Sequence, residues 1–244
     1  MKNLALAVGT FSLFSLALAN PVRAFGIDFT DGWTSFGDVQ LSADGTTKMS
    51  TNAIMEDDFD FGNDSDFNFS GNAAGDSFEL ESVLGLSGGA LNPDSANFIE
   101  ATEGSGLTKE LTFAQDTLLS FDWTFLSNDS TLTDAGFNFD DYAFLSVNGE
   151  TTTLASTNSS ISQLISSDTP YNRQVSGTYE RLFAAGTYQI GLGVLDVGDF
   201  NDSSAFLLDN AEIEQHTVPE PSSLLGLLVL GTVGGLTAHR RKQN

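Results

Sequence analysis

Cysteine and histidine are nearly missing from this 244-residue sequence. It has no cysteine and only two histidines, His216 and His239. Without cysteine there is no disulfide framework, so folding has to rest on the hydrophobic core and on any bound metal ion. Residues 25–214 also lack histidine. This excludes Ser-His-Asp hydrolysis, Cys-His chemistry and ordinary zinc sites there, because each needs an imidazole or a thiolate.

Positive charge is scarce as well. The chain has nine Lys and Arg against 33 Asp and Glu, a formal net charge of −24. Within residues 25–214 the basic residues are Lys48, Lys109, Arg173 and Arg181. Proteins bind nucleic acid by displacing counterions with Lys and Arg, so this composition excludes a nucleic-acid partner. The same negative field attracts divalent cations.

Long apolar runs occur only near the two ends of the sequence. Residues 4–19 form an apolar stretch behind Lys2 and lead to Val22-Arg23-Ala24. This is the pattern of a secretory signal peptide, which we assign as a helix within residues 1–24, with cleavage predicted after Ala24. Small residues at Ala17 and Ala19 leave cleavage after Ala19 open. A permanent N-terminal anchor is disfavoured, because a membrane-spanning helix needs ~20 apolar residues.

The last thirty residues divide into three parts. A linker over residues 215–223 contains Pro219-Glu220-Pro221, an uncharged run follows at 224–239, and residues 240–244 include three basic side chains. The prolines hold the linker extended. The run predicts a single transmembrane helix that is short and rich in glycine, and the basic end predicts a cytoplasmic tail and a translocated domain.

This order of motif, apolar run and basic end resembles the PEP-CTERM sorting signal of bacterial envelope proteins. The resemblance implies that an exosortase recognises Pro219, Glu220 and Pro221 and removes the tail. It implies a protein that is exported, transiently anchored in the inner membrane, and then released to the envelope, the cell surface or the extracellular space. It also implies a setting of exopolysaccharide or biofilm. An ordinary single-pass protein remains the alternative.

Alternating hydrophobicity dominates residues 25–214. Period-two patterns occur at residues 119–125, 142–147, 186–197 and 204–213, and Asn148-Gly149 predicts a hairpin into residues 150–154. Short strands separated by turns, with twenty phenylalanines, predict an all-β fold: an antiparallel two-sheet β-sandwich. A short helix is expected at 159–166. Small residues along one face of 186–197 indicate a groove or a closely packed backbone.

Two segments refine the fold. Residues 27–39, with Gly32-Trp33, and residues 205–213, with Asp209-Asn210, resemble the opening and closing strands of jelly-roll domains similar to carbohydrate-binding modules. That resemblance implies a structural calcium ion held by Asp28 and Asp209, with the 196–202 loop close by. The metal residues assigned on this basis are Asp28, Asp196, Asp199 and Asp209.

Acidic clusters occur at residues 57–66, 134–141 and 196–209. Calcium takes six to eight oxygen ligands, which such loops supply, although no cluster has the spacing of an EF-hand. Solvated acidic loops are the alternative. Among the aromatic residues, Trp33 and Trp123 are expected to be packed, whereas Tyr171 is the candidate for stacking on a sugar ring.

These observations favour a non-enzymatic exported envelope or extracellular matrix protein that associates with exopolysaccharide and binds glycan. The first alternative is a purely structural surface protein without glycan affinity. The second is a carbohydrate-active hydrolase, since glycoside hydrolysis needs only two carboxylates. The Glu-x-Asp-x-x-Glu motif of jelly-roll glucanases is absent from the sequence.

Overall fold

Strands with one apolar side pair into two sheets in the computed structural model. It describes residues 23–42, 46–54, 67–93, 99–128, 140–159, 163–164, 170–198, 200 and 202–215. The strands of these residues are β1 (Arg23–Gly26), β2 (Thr34–Phe36), β3 (Asp38–Leu41), β4 (Thr47–Ser50), β5 (Gly75–Asp76), β6 (Ala101–Phe113), β7 (Thr117–Ser127), β8 (Tyr142–Val147), β9 (Glu150–Ser156), β10 (Gln163–Leu164), β11 (Arg173–Phe183), β12 (Gly186–Val197) and β13 (Ser204–Gln215).

Both sheets are antiparallel. Sheet A has the order β10-β11-β7-β13-β4-β3, with β1 paired to the last residues of β13. Sheet B has the order β2-β6-β12-β8-β9, with β5 paired to β6. The predicted antiparallel two-sheet β-sandwich is confirmed.

The main core lies between the facing sides of the two sheets. Along β7, Leu119, Phe121, Trp123 and Phe125 point into it, as their alternation predicts, and sheet B contributes residues such as Leu192 and Val194 from β12. The strands predicted at 119–125, 142–147, 186–197 and 204–213 are present as β7, β8, β12 and β13, and Asn148-Gly149 connects β8 to β9.

A helix covers the outer face of sheet B. Helix α1 (Ser77–Leu84) begins at Asp76, whose carboxylate accepts hydrogen bonds from the amides of Phe78 and Glu79, and ends at Gly85 in a left-handed conformation. Its Leu80 and Leu84 are fully buried in a second cluster that includes Phe144 of sheet B. The sequence did not predict this helix.

Glycines in β12 make room for that cover. A Cβ on Gly193 would lie 2.7 Å from the Phe144 ring, and one on Gly191 would lie 3.0 Å from Leu84. The small-residue face of residues 186–197 is therefore occupied by closely packed neighbours, which was one of the two expectations for it.

A second segment, residues 67–72, covers only one end of the outer face of sheet A. Asp38 anchors it: this fully buried carboxylate accepts hydrogen bonds from the Phe69 amide (2.9 Å), the Ser70 amide (2.6 Å) and the Ser50 hydroxyl (2.5 Å). Phe67 packs there against Leu126 and Tyr171. We call residues 67–72 the covering segment.

Three predictions about helices have different outcomes in the structure. The helix expected at 159–166 is wrong at its centre, because Gln163–Leu164 form β10 and pair with β11. The transmembrane helix predicted at 224–239 lies outside the described residues, and so does the signal helix predicted within 1–24, except for Arg23 and Ala24, which belong to β1. Among the residues that are described, no helix is long and apolar enough to cross a membrane.

The predicted cleavage site after Ala24 lies within β1. All four residues of β1 pair with β13, in a register that joins Arg23 to Gln215 and Gly26 to Glu212. Cleavage after Ala24 would remove half of this strand, whereas cleavage after Ala19 would leave it whole.

Candidate functional site

The part of sheet A beyond the covering segment presents polar side chains on its outer face. On β7 and β11 these are the residues that alternate with the core positions, and they bond across the strands. Thr124 and Ser176 lie 2.9 Å apart through their hydroxyls, and Gln174 donates to Ser176 at 3.0 Å. Hydrogen bonds between β7 and β11 and along β11 thus hold these hydroxyl and amide groups in fixed positions.

Asp122 is the centre of a second set of bonds on this face. One of its oxygens accepts a hydrogen bond from the Thr178 hydroxyl at 2.6 Å, and the other accepts one from the Asn210 side-chain amide at 2.9 Å. Both bonds favour the charged form, and they lower the pKa of Asp122, with Thr178 as the larger cause. The carboxylate therefore stays ionised to low pH.

A β-bulge in β13 brings Asn210 to this position. The pairing of β13 with β7 shifts register between Asp209 and Glu212, and Asn210 has a φ of 50°. Asn is among the residues that tolerate this left-handed conformation. The Asn210 backbone amide donates to its neighbour Asp209 at 2.7 Å, while its side chain reaches Asp122.

A cleft of about 250 Å³ opens beside the bulge. Its walls come from β4, β7 and β13, and we call it the sheet A cleft; it is lined by Thr46, Thr47, Lys48, Asp122, Trp123, Thr124, Leu207, Leu208, Asp209 and Asn210. The Thr47 side chain is fully buried, and its hydroxyl has no hydrogen-bond partner among the described residues. Burying a hydroxyl in this way costs about 1–3 kcal/mol.

Lys48 is the basic residue of the sheet A cleft. Its ammonium lies 5.8 Å from the centroid of the Phe69 ring in the covering segment. This cation–π contact draws the charge towards one end of the cleft. Asp122 and Asp209 also line the cleft.

The two residues predicted to hold calcium together have different hydrogen-bond partners in the structure. Asp28 accepts hydrogen bonds from the Thr30 hydroxyl (2.6 Å) and the Thr30 amide (2.8 Å). These bonds, the hydroxyl first, lower the pKa of Asp28, and Lys109 adds to the effect. Asp209 bonds instead to the Asn210 amide and lies opposite Asp122 in the sheet.

The other two predicted metal residues differ in whether the structure describes them. Asp196 is buried near the end of β12. Asp199 lies outside the described residues, as do the cluster at 57–66 and the sorting residues Pro219, Glu220 and Pro221. Within the described part of the chain, no group of three or more acidic or histidine side chains is placed to hold a metal ion. Calcium binding stays a prediction.

The aromatic predictions have mixed outcomes. Trp123 is buried in the main core and Trp33 packs against it, as expected. The prediction that Tyr171 stacks on a sugar is wrong, because this ring is 3% exposed and packs edge-on against Phe67 at 5.3 Å. Its burial depends on the covering segment, about a hundred residues away in sequence.

Sequence reasoning missed Asp122, Thr178 and Asn210 as a set. The sequence placed Asp122 within the alternating run at 119–125 and indicated no role for it. The available signal was the Asp-Asn dipeptide inside the last apolar strand, since Asp and Asn are depleted in regular strands and tolerate bulge geometry. Which strand faces that bulge could not be known without the sheet order.

Comparison with known proteins adds information about the tail. Residues 217–242 match the PEP-CTERM protein-sorting motif. A comparison with curated proteins finds no match.

Two solved structures show distant similarity. One is the K1 cleaved adhesin domain of Lys-gingipain from Porphyromonas gingivalis W83, with 13% identity over 81% of this chain and 100% of that chain, at a TM-score of 0.34. The other is the GH26-CBM35 β-(1,4)-mannanase of Podospora anserina, with 14% identity over 78% of this chain and 29% of that chain, at a TM-score of 0.22.

The motif match confirms the sorting signal that the sequence resembled. A PEP-CTERM motif implies processing by exosortase, with a transient membrane step. The chain carries a PEP-CTERM sorting motif and is an exported protein, sorted through the membrane to the cell surface.

Proposed function

We propose that this protein is a non-enzymatic surface or matrix protein whose β-sandwich binds polysaccharide through the outer face of sheet A. The observation that carries the proposal is the row of hydroxyl, amide and carboxylate groups held in place by hydrogen bonds across β11, β7 and β13. The row borders the sheet A cleft.

Such a face suits a chain of sugar rings for two reasons. Sugar hydroxyls both donate and accept hydrogen bonds, so they pair with the mixed donors and acceptors of Thr124, Ser176 and Asp122. These side chains are already ordered by their bonds to one another, which lowers the entropy lost on binding. Neighbouring strands lie about 4.7–4.9 Å apart, which supplies a regular spacing of contacts.

The electrostatics of the cleft support binding rather than hydrolysis. Glycoside hydrolysis needs a carboxylic acid that holds its proton near neutral pH, which requires a raised pKa. The pKa of Asp122 is lowered by Thr178 and Asn210. A carboxylate held in that state accepts hydrogen bonds from hydroxyl groups and is a poor general acid.

The destination of the protein suggests the ligand's source. An exported protein sorted to the cell surface meets the polysaccharides outside its own cell. We therefore propose exopolysaccharide of the surrounding matrix as the partner.

Affinity electrophoresis tests this function. The natively processed protein, purified from the producing cells, is run through gels that contain the cells' own extracellular polysaccharide. We expect retardation of the wild type and a several-fold weaker retardation of Thr178→Val, because this substitution removes the Asp122 hydrogen bond.

A matched substitution on the other sheet serves as the control. Thr112 and Thr187 are exposed on sheet B, with hydroxyls 3.0 Å apart. Thr187→Val breaks that bond and should leave retardation unchanged. If folded wild-type protein is not retarded by any matrix polysaccharide, the purely structural alternative is correct. Release of reducing ends during the incubation would instead support the hydrolase.

A further inference from the structure

A row of side chains crosses the outer face of sheet A. The strand registers pair Thr124 of β7 with Ser176 of β11 on one side and with Leu207 of β13 on the other. Leu207 is paired with Lys48 of β4, and Lys48 is paired with Gln40 of β3. Because neighbouring strands lie about 4.7–4.9 Å apart, the row extends over about 19 Å across the strands. We call these five residues the cross-strand row.

The cross-strand row has a different border on each side. Along β13, Leu207 is two residues from Ala205, which is fully buried with Phe67 of the covering segment. In the other direction Leu207 is two residues from Asp209, which is paired with Asp122. Side chains on one face of a strand are two residues apart. The covering segment therefore borders the row on one side, and the two carboxylates border it on the other.

Lys48 brings a positive charge to the row. Its side chain is half-buried, and its ammonium lies 5.8 Å from the centroid of the Phe69 ring. Gln40, the neighbour of Lys48 in the row, donates from its side-chain amide to the Phe69 carbonyl at 2.7 Å. Among the described residues no carboxylate forms an ion pair with Lys48, although Asp122 and Asp209 line the same cleft. An ammonium has three donors, which can thus reach a ligand in the cleft.

The charges beside the row disfavour a charged glycan of either sign. A polymer of uronic acids or sulfated sugars would approach Asp122 and Asp209 in a protein with a net charge of −24. A polymer of protonated amino sugars would bring its ammonium groups towards Lys48.

An uncharged sugar fits both kinds of group. Its hydroxyls accept hydrogen bonds from an ammonium and donate them to a carboxylate. Hydrogen bonds in which one partner is charged are about twice as strong as those between neutral groups. Leu207, half-buried at the centre of the row, offers an apolar contact for the C–H groups of a sugar ring.

We propose that the cross-strand row binds an uncharged polysaccharide, and that Lys48 is a specificity-determining residue that donates hydrogen bonds to sugar hydroxyls. This inference rests on the proposed glycan binding and adds the chemical class of the sugar.

The first test separates the cells' own extracellular polysaccharide by charge. Passage over anion and cation exchangers yields uncharged and charged fractions, and each is cast into gels at the same sugar concentration. Affinity electrophoresis of the natively processed wild-type protein then compares them. We expect the uncharged fraction to retard the protein several-fold more strongly. Equal or stronger retardation by a charged fraction would overturn the specificity, while glycan binding would stand.

The second test replaces Lys48. Methionine keeps an unbranched, flexible side chain beside Phe69 and lacks the ammonium, so Lys48→Met should melt near the wild-type temperature. Its retardation by the uncharged fraction should fall several-fold. Lys109→Met removes the same charge from β6 of sheet B and should be retarded like the wild type. Lys48→Arg keeps the charge and the donors and should keep most of the retardation.

The outcomes separate the two proposals. Unchanged retardation of Lys48→Met would show that Lys48 only packs over Phe69, and would overturn its role in binding. An equal loss in Lys48→Met and Lys109→Met would assign the effect to overall charge, and would also overturn that role. If neither the fractions nor the unfractionated polysaccharide retard the folded wild-type protein, both proposals are rejected.

Discussion

The outer faces of the two sheets differ in how they are covered. On sheet B, Leu80 and Leu84 of α1 are buried against Phe144, so the outer face of this sheet forms a second core where the helix lies. On sheet A the covering segment reaches one end, and the remaining face carries bonded polar side chains. The outer face of sheet B packs against the helix, and the outer face of sheet A forms part of the protein surface. Substitutions on the first should change stability, and substitutions on the second should change binding.

The largest effect is expected where sheet A is covered. Asp38→Ala removes the acceptor of the Phe69 and Ser70 amides, which are partly shielded from solvent, and of the Ser50 hydroxyl, which is fully buried. We expect a loss of about 3 kcal/mol or more in the free energy of unfolding. Chemical denaturation measures it. Asp31→Ala, at an exposed carboxylate 4.0 Å from Lys109, should cost less than about 1 kcal/mol. Similar losses for both variants would show that Asp38 does not anchor the covering segment.

A smaller loss is expected on the helix-covered face of sheet B. The added methyl group of Gly193→Ala would lie 2.7 Å from the Phe144 ring and 2.9 Å from the Ser105 carbonyl oxygen. Overpacking of this kind costs about 1–3 kcal/mol. In the control Gly26→Ala, the nearest atom is the Ala211 carbonyl oxygen at 3.9 Å. Thermal unfolding should show a lower midpoint for the first variant only, and equal midpoints would contradict the close packing of Phe144 against Gly193.

Thr47→Val should stabilise the protein. The substitution replaces a buried hydroxyl that has no partner in the described structure with a methyl group of similar size. We expect a gain of about 1 kcal/mol and a melting temperature roughly 2–4 °C higher. Thr51→Val is the matched control and should destabilise, because the Thr51 hydroxyl accepts the buried Ser204 amide at 2.9 Å. A Thr47 variant that melts lower would show that its hydroxyl is satisfied.

The smallest effect concerns the titration of Asp122. Thr178→Val removes the main cause of its lowered pKa, which should rise towards the ordinary 3.8. A lowered folded-state pKa adds stability at pH values above the unfolded pKa, and this is lost as the pH falls through the folded value. The variant should therefore show a weaker dependence of stability on pH in the acid range. Carboxyl NMR measures the pKa directly, with Thr112→Val as the control; an unchanged value in Thr178→Val would contradict the bond.

The positions of the strands could be predicted from the sequence, because a strand with one buried face shows alternating apolar and polar residues. The alternation of Phe121, Trp123 and Phe125 and the Asn148-Gly149 turn each involve residues close together in the chain. Helix α1 was missed because its eight residues are too short for a clear helical period, although Asp76 and Gly85 are typical helix ends.

The candidate site depends on pairings that a sequence does not display. Asp122, Thr178 and Asn210 come together because β7 lies between β11 and β13, and because β13 is bulged. The predicted pair of Asp28 and Asp209 assumed that the ends of the two strands present their carboxylates to each other. In the structure the Asp28 carboxylate accepts hydrogen bonds from Thr30, and the calcium pair stays a prediction.

The central place of β13 has a consequence for the timing of export. This strand lies between β7 and β4 in sheet A, and it ends at Gln215, two residues before the sorting motif begins. A chain translocated from its N-terminus delivers β13 after all the other strands, so sheet A cannot close until almost the whole sequence has crossed the membrane. Folding and presentation of the tail to the protease then coincide. The central position of β13 therefore delays completion of the domain until its sorting signal reaches the membrane.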